Sequence, residues 1–289
     1  MIFDTLVVPF IEFGFMRRAL VGCLALALGA TPVGVFLTLR RMSLTGDAMA
    51  HAILPGAALG YLVAGLSLGA MTLGGLAVGL CVAVLSGAVA RQTVAPEDAS
   101  MAAFYLISLA IGVLIVSLRG SNVDLLHVLF GTVLALNDAA LWLISGIATA
   151  TVLALAVLYR PLVLECVDPA FLRTVSMLSP VAHYGFLVLL VLNLVGGFHA
   201  LGTLMAVGIM ILPAAAVRFW TRDINVMLAG SVLVAFASGL AGLLLSYHLR
   251  MRTGPAIILT AGAAYLLSLT FGPGGALFSR LRARPAPQL

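Results

Sequence analysis

The chain has 289 residues, of which 63% are hydrophobic and only 9% charged, with a formal net charge of +5. Its mean hydropathy is +1.20. Soluble domains carry about 25% charged residues, so a water-soluble fold is excluded and residues 1–289 read as a single membrane domain. All fifteen basic residues are Arg, set singly or in pairs between apolar runs. That is the pattern of membrane-flanking charge, with no basic patch long enough for a phosphate footprint, so nucleic acid is not an expected partner. Cys23, Cys81 and Cys166 are far apart and read as small packing residues. Asp4 and Glu12 near the start, with no leading basic cluster, argue against a cleaved signal peptide.

A helix needs about 20 mostly apolar residues to cross a bilayer. Nine stretches qualify: 19–39, 46–65, 68–90, 98–118, 141–159, 180–197, 199–217, 225–246 and 253–272. The segment 125–136 (LLHVLFGTVLAL) is too short to cross and reads as a re-entrant or broken helix. The expected fold is therefore all-α: a polytopic transmembrane helical bundle of about nine spans plus a short re-entrant helix. With the 160–179 loop placed in the cytoplasm, ten Arg fall on the cytoplasmic side and five outside. The positive-inside rule favours that orientation, with the N-terminus outside. The small-xxx-small pairs Gly56/Gly60 and Gly75/Gly79 let helices approach closely. The chain has no Lys and no phosphate-binding loop. It is expected to be a transport subunit without enzymatic activity, and any nucleotide that drives it belongs to another subunit.

Ionisable residues inside a span point to function. Asp47 and His51 stand at i, i+4 in MSLTGDAMAHAILPGAALG and share one helix face. A carboxylate and an imidazole so placed suit one divalent ion: Zn²⁺, and also Mn²⁺ or Fe²⁺. The alternative is an Asp–His hydrogen bond that only locks two helices. Pro55 has no N–H for the carbonyl of His51, so a kink is expected beside the pair. Ile211–Ala216 echoes Ile53–Ala58, and both Pro55 and Pro213 are candidate kinks lining a path. His199, His127 and Asp124 are weaker candidate metal contacts near the outer side, and His183 and His248 read as interfacial residues. The loop 160–179 is the longest polar interruption. Asp168-Pro169 resembles a helix N-cap and first turn, followed by a short amphipathic stretch from Ala170 to Met177. It is either a docking helix for a partner or a connector on the bilayer surface.

These segments carry a resemblance. LRRMSLTGDAMAHAILPGAALGYL (39–62), LLHVLFGTVLAL (125–136), the Asp168–Arg173 loop and GTLMAVGIMILPAAAV (202–217) resemble the membrane permease subunit of ABC importers for zinc, manganese and related metals. The resemblance runs over almost the whole length, and the Gly-Asp, His and Leu-Pro-Gly pattern of the first segment is its most specific part. It implies a type II ABC-importer-like permease of a bacterial cytoplasmic (inner) membrane, working as a homodimer. It also implies cytoplasmic ATPase subunits that hold the ATP, and an extracytoplasmic metal-binding protein that delivers the ion. Asp47 and His51 would then carry the intramembrane metal site. Asp168, Pro169, Phe171 and Arg173 would belong to the coupling helix that meets the ATPase.

A secondary, proton-coupled metal transporter is the main rival, because proton relays also use intramembrane carboxylates and His. A membrane enzyme is a weaker one, since the sole adjacent acidic pair, Glu97-Asp98, reads simply as the cap of the next span. The expected cargo is zinc, on the count of His51 with His127 and His199 as accessories, with manganese or iron as alternatives. No permanently bound cofactor is expected.

Overall fold

Backbone groups in lipid find no water to bond, so long apolar stretches must close their hydrogen bonds internally as helices. The computed structural model describes residues 8–65, 67–94, 96–118, 136–176 and 178–275. The helices are α1 (Val8–Glu12), α2 (Gly14–Leu39), α3 (Ser43–Ala64), α4 (Leu68–Gln92), α5 (Glu97–Leu118), α6 (Asp138–Val167), α7 (Pro169–Val175), α8 (Leu178–Leu201), α9 (Thr203–Val217), α10 (Ile224–Leu249) and α11 (Thr253–Phe271). Among the described residues, eight helices are long and apolar enough to cross a membrane, and α9 is a shorter apolar helix of 15 residues.

Every expected span corresponds to a helix, with two differences. The expected span 199–217 divides between the last turn of α8 and α9, because the chain turns at Gly202, whose φ of +82° favours glycine. The expected span 141–159 continues to Val167, with Pro161 inside the helix. Much of the polar interruption 160–179 is therefore helix, leaving α7 as its separate element. The re-entrant segment 125–136 lies, but for Leu136, outside the described residues.

Two helices form the centre. Residues of α2 from Ala25 to Thr38 are buried apart from Leu28, and α8 is buried along most of 186–198. Both are apolar all round, as a helix enclosed by others should be. The surrounding helices expose Leu, Ile and Val outward, including Leu106, Ile111, Leu153, Val157, Leu233 and Leu267. Glycines set the closest crossings. A Cβ on Gly34 of α2 would overlap the carbonyl of Met210 in α9, and one on Gly56 of α3 would overlap that of Gly74 in α4. Gly56 and Gly60 pack on the backbone of Gly74 and Ala70 in α4, whereas Gly75 and Gly79 make room for the side chains of Ile53 in α3 and of Val191 and Val195 in α8. Buried polar groups are satisfied across helices: Asn193 Nδ2 of α8 donates to Thr151 Oγ1 of α6 at 2.8 Å, and Thr260 Oγ1 of α11 to the Ser238 carbonyl of α10 at 2.7 Å.

The turn between α2 and α3 is made by Arg40 and Arg41. Arg41 adopts a left-handed φ of 61°, and the N–H groups of Arg41 and Met42 close onto the carbonyls of Thr38 and Leu37. This is a Schellman closure, made here without glycine. It brings Arg40 to the same end of the bundle as Arg91, Glu165 and Arg218, which line one cavity with it.

Substituting Gly56→Val should cost about 1–3 kcal/mol of stability through overpacking, read as a lowered melting temperature in detergent. Gly146→Ala, at an exposed position with open space around it, should change stability by no more than about 1 kcal/mol, with the sign favouring Ala. A cysteine at exposed Thr174 in a cysteine-free background should react with a membrane-impermeant maleimide only in inside-out vesicles, and one at Met251 only in right-side-out vesicles. The opposite labelling would invert the orientation read from the Arg distribution.

Candidate functional site

Asp47 and His51 are the fifth and ninth residues of α3, about 6 Å and 12 Å below its start at the helical rise of 1.5 Å per residue. Thr45 Oγ1 donates to Asp98 Oδ1 at 3.1 Å, tying the first turn of α3 to the first turn of α5. Further along, Ser108 Oγ of α5 donates to the carbonyl of Ala52 at 3.1 Å, and Pro55 sits so close to Gly112 that a Cβ there would clash with its ring. The helix continues through Pro55, whose ring is buried against α5, and Pro213 is likewise buried inside α9. The two prolines thus sit at helix contacts.

His51 Nε2 lies 3.9 Å from Asp47 Oδ1, with the side chains 40% and 65% exposed. That separation exceeds a hydrogen bond, so the two groups are held side by side with donor atoms still available. The locked Asp–His hydrogen bond is not formed. They belong to a stripe, Leu44, Asp47, His51, Leu54, Ala58 and Tyr61, that recurs every three or four residues and that the rest of the chain leaves partly or wholly uncovered. The opposite face, with Thr45, Met49, Ala52, Ile53 and Gly56, is buried. Among the described residues no group of three or more His, Cys, Asp or Glu gathers to hold an ion. His199 falls in the last turn of α8, whereas His127 and Asp124 lie outside the described residues.

At the Arg-rich end, Asp168 caps α7 as its sequence suggested. Its Oδ1 accepts from the N–H of Phe171 at 2.9 Å, and Pro169 occupies the first helical turn. Leu172 is buried against the bundle while Phe171 is 53% exposed, so α7 is anchored on one side and presents an aromatic on the other. Arg173 is the fifth residue of this seven-residue helix.

A second polar constellation was not anticipated. Glu165, on the last turns of α6, is only 3% exposed, and its Oε1 lies 3.7 Å from both Arg40 Nη2 and Arg91 Nη1. Ser179 Oγ of α8 donates to Glu165 Oε2 at 3.0 Å and accepts from Arg91 Nη2 at 3.2 Å. His183, expected at the interface, is buried and faces Glu97 at 3.5 Å. The signal was present: Ala148, Thr151, Leu155, Leu162 and Glu165 repeat at helical spacing on one buried face of α6. Reading Arg160-Pro161 as a span end hid it.

With this geometry in place, the relatives of the chain can be compared. Residues 12–272 match the model of the ABC 3 transport family. The manganese import system permease protein ScaB of Streptococcus parasanguinis is 33% identical over 263 residues, 91% of this chain and 92% of that protein. A probable iron transport system membrane protein of Haemophilus influenzae is 32% identical over 93% of this chain and 97% of its own length. The solved structure of PsaBC from Streptococcus pneumoniae in complex with Fab superposes with a TM-score of 0.82 at 28% identity, covering 97% of this chain and 100% of that one. The chain belongs to the ABC 3 transport family and is a membrane permease of the metal ABC importer type.

Proposed function

We propose that this chain forms the membrane path of an ATP-driven importer for a divalent first-row transition metal in a bacterial cytoplasmic membrane. The observation that carries the reading is the open Asp47–His51 pair, 3.9 Å apart on an uncovered face of a membrane-spanning helix. An aspartate at the centre of a lipid-facing helix costs about 2.5–3.5 kcal/mol on insertion scales, and one a turn inside the helix end, as here, still carries part of that cost. That cost disfavours a monomer with this stripe facing acyl chains. A second copy packed on the same stripe of α3 would cover it and bring two carboxylates and two imidazoles to one axis, enough to replace much of the hydration shell of a passing cation. Two pairs contributed from separate chains also suit conduction, because such a site is disassembled when the copies shift and the ion is released.

Manganese fits this donor set better than the zinc expected from the count of His. The pair that the described residues offer has one carboxylate for its one imidazole. One carboxylate for each imidazole is a harder donor set, and hard donors suit Mn²⁺. The relatives named for manganese and iron import support the same reading. Energy would come from ATPase subunits docked on α7, with Phe171 as the exposed anchor, and the ion from an extracytoplasmic metal-binding protein. A secondary proton-coupled carrier has less support, since family membership argues for nucleotide-driven transport.

Asp47→Ala and His51→Ala should each lower metal uptake into proteoliposomes by about tenfold or more, while the permease still co-purifies with its ATPase. Uptake at the parent rate in Asp47→Ala would remove the pair from the path. A cysteine at Leu54 or Ala58 should cross-link two copies under mild oxidation, whereas one at buried Ile53 should not. Monomeric Leu54→Cys and Ala58→Cys proteins under those conditions would argue against the proposed dimer face.

A further inference from the structure

Five helix ends converge at the Arg-rich end of the bundle, and each delivers a polar or charged side chain into its interior. Arg40 comes from the α2–α3 turn, Arg91 from the last turn of α4, Glu97 from the first turn of α5, Glu165 from the last turns of α6, and Ser179 with His183 from the start of α8. The Arg40, Glu165 and His183 side chains are 7%, 3% and 4% exposed. A cavity of about 640 Å³ opens beside them. Arg218 of α9 lines the cavity as well, its Nη1 donating to the carbonyl of Thr38 at 2.7 Å.

The pairing is incomplete. Both Arg–Glu165 distances are 3.7 Å, longer than the 2.7–2.9 Å of a closed charge-assisted hydrogen bond. The buried Arg40 Nη1 and Arg91 Nη1 have no hydrogen-bond partner among the described residues. Buried polar groups left short of partners call for an explanation. Glu165 stands between two guanidiniums, with Glu97 on the same cavity and free volume beside them, and a small shift of side chains or helix ends would close its 3.7 Å contacts. Transmission of a movement requires an element with two arrangements, and a loosely closed ionic cluster at converging helix ends can supply one.

Its position links two parts of the molecule. Glu165 lies three residues before Asp168, the cap of α7, and its partner Ser179 lies just beyond the other end of α7. On the far side, Arg40 forms the turn into α3, seven residues before Asp47. We infer that Glu165 is the hub of a two-state ionic joint through which displacement of α7 repositions the α2–α3 turn and with it the Asp47–His51 pair. The inference rests on the proposed reading of α7 as the element moved by an ATPase. Glu165 acts here as a positioning residue, since it does not touch the ion.

The ionic set should be needed for coupling and not for folding. Removing Glu165 alone leaves two guanidiniums against one remaining carboxylate of the cluster, Glu97, so Glu165→Gln risks misfolding. Replacing the set by uncharged residues of similar volume, with Glu97 made Gln so that its carboxylate is not stranded, is often neutral or stabilising. The decisive protein is therefore the quadruple variant Arg40→Met, Arg91→Met, Glu97→Gln, Glu165→Leu, reconstituted with its ATPase and binding protein. It should insert, melt no lower than the parent and hydrolyse ATP within about twofold of it, while metal moved per ATP falls about tenfold or more. In parallel, spin labels at Thr174 on α7 and Arg41 in the α2–α3 turn should show a second distance population with Mg-ATP and vanadate in the otherwise unaltered protein, absent in the quadruple variant. Parent-like uptake per ATP in the variant would overturn the joint. So would an identical nucleotide response of the labels in both proteins, or failure of the variant to insert, because the ions would then be holding the fold. A parent complex that moves no divalent metal yet shows the nucleotide-dependent label population would sink the transport reading and leave the joint standing.

Discussion

Ionised groups are costly in a low-dielectric environment that water does not reach, and this protein meets that constraint in two different ways. At one end of the bundle, Glu165 and Glu97 gather with Arg40 and Arg91, so carboxylates face guanidiniums within the chain, though loosely. On α3, Asp47 and His51 have only each other among the described residues, 3.9 Å apart. The first solution keeps the charges for the protein's internal mechanics. The second leaves donor atoms available to something that arrives from outside the chain. The same physical cost thus separates a part that holds helices in relation to each other from a part whose donor atoms stay open.

Helix packing determines which solution each residue meets. Gly56 and Gly74 bring α3 and α4 into backbone contact, and Gly34 does the same for α2 and α9. With α4, α5, α8 and α9 all drawn onto one side of α3, its other face is left at the surface. The bundle buries the side of α3 that carries Met49, Ala52 and Ile53, and in doing so presents Asp47 and His51. Thr45 and Ser108 then hold the helix to α5 on both sides of the pair, through Asp98 and the Ala52 carbonyl. A binding pair on a rigid helix keeps its geometry better than one on a loop.

The short helix α7 has only seven residues, and a helix of that length is marginal in water. It exists because Asp168 satisfies one N-terminal amide, Pro169 pre-sets the first turn, and Leu172 inserts into the bundle. These same features tie it to the ends of α6 and α8, where Glu165 and Ser179 reside. Exposed Phe171 thus lies within one or two helical turns of Glu165 along the chain.

Much of this was legible in the order of the residues. The apolar runs established a helical membrane domain, because no other open structure satisfies a backbone in lipid. The Arg distribution grouped helix ends by side, and the structure gathers Arg40, Arg91 and Arg218 at one end of the bundle. Asp47 and His51 at i, i+4 had to share a face, and Asp168-Pro169 had to begin a helix, since both relations are local. Tertiary structure decided what local spacing cannot express. It decided that α6 runs through Pro161 and carries Glu165 into the interior, that His183 is buried against Glu97, and that the Asp47–His51 face is left open. Each of these depends on which helices lie alongside, a matter of contacts between residues far apart in sequence. The sequence by itself determined which residues could bear charge in the membrane; only the packing of the helices decided which of those charges are engaged inside the chain and which are left open on its surface.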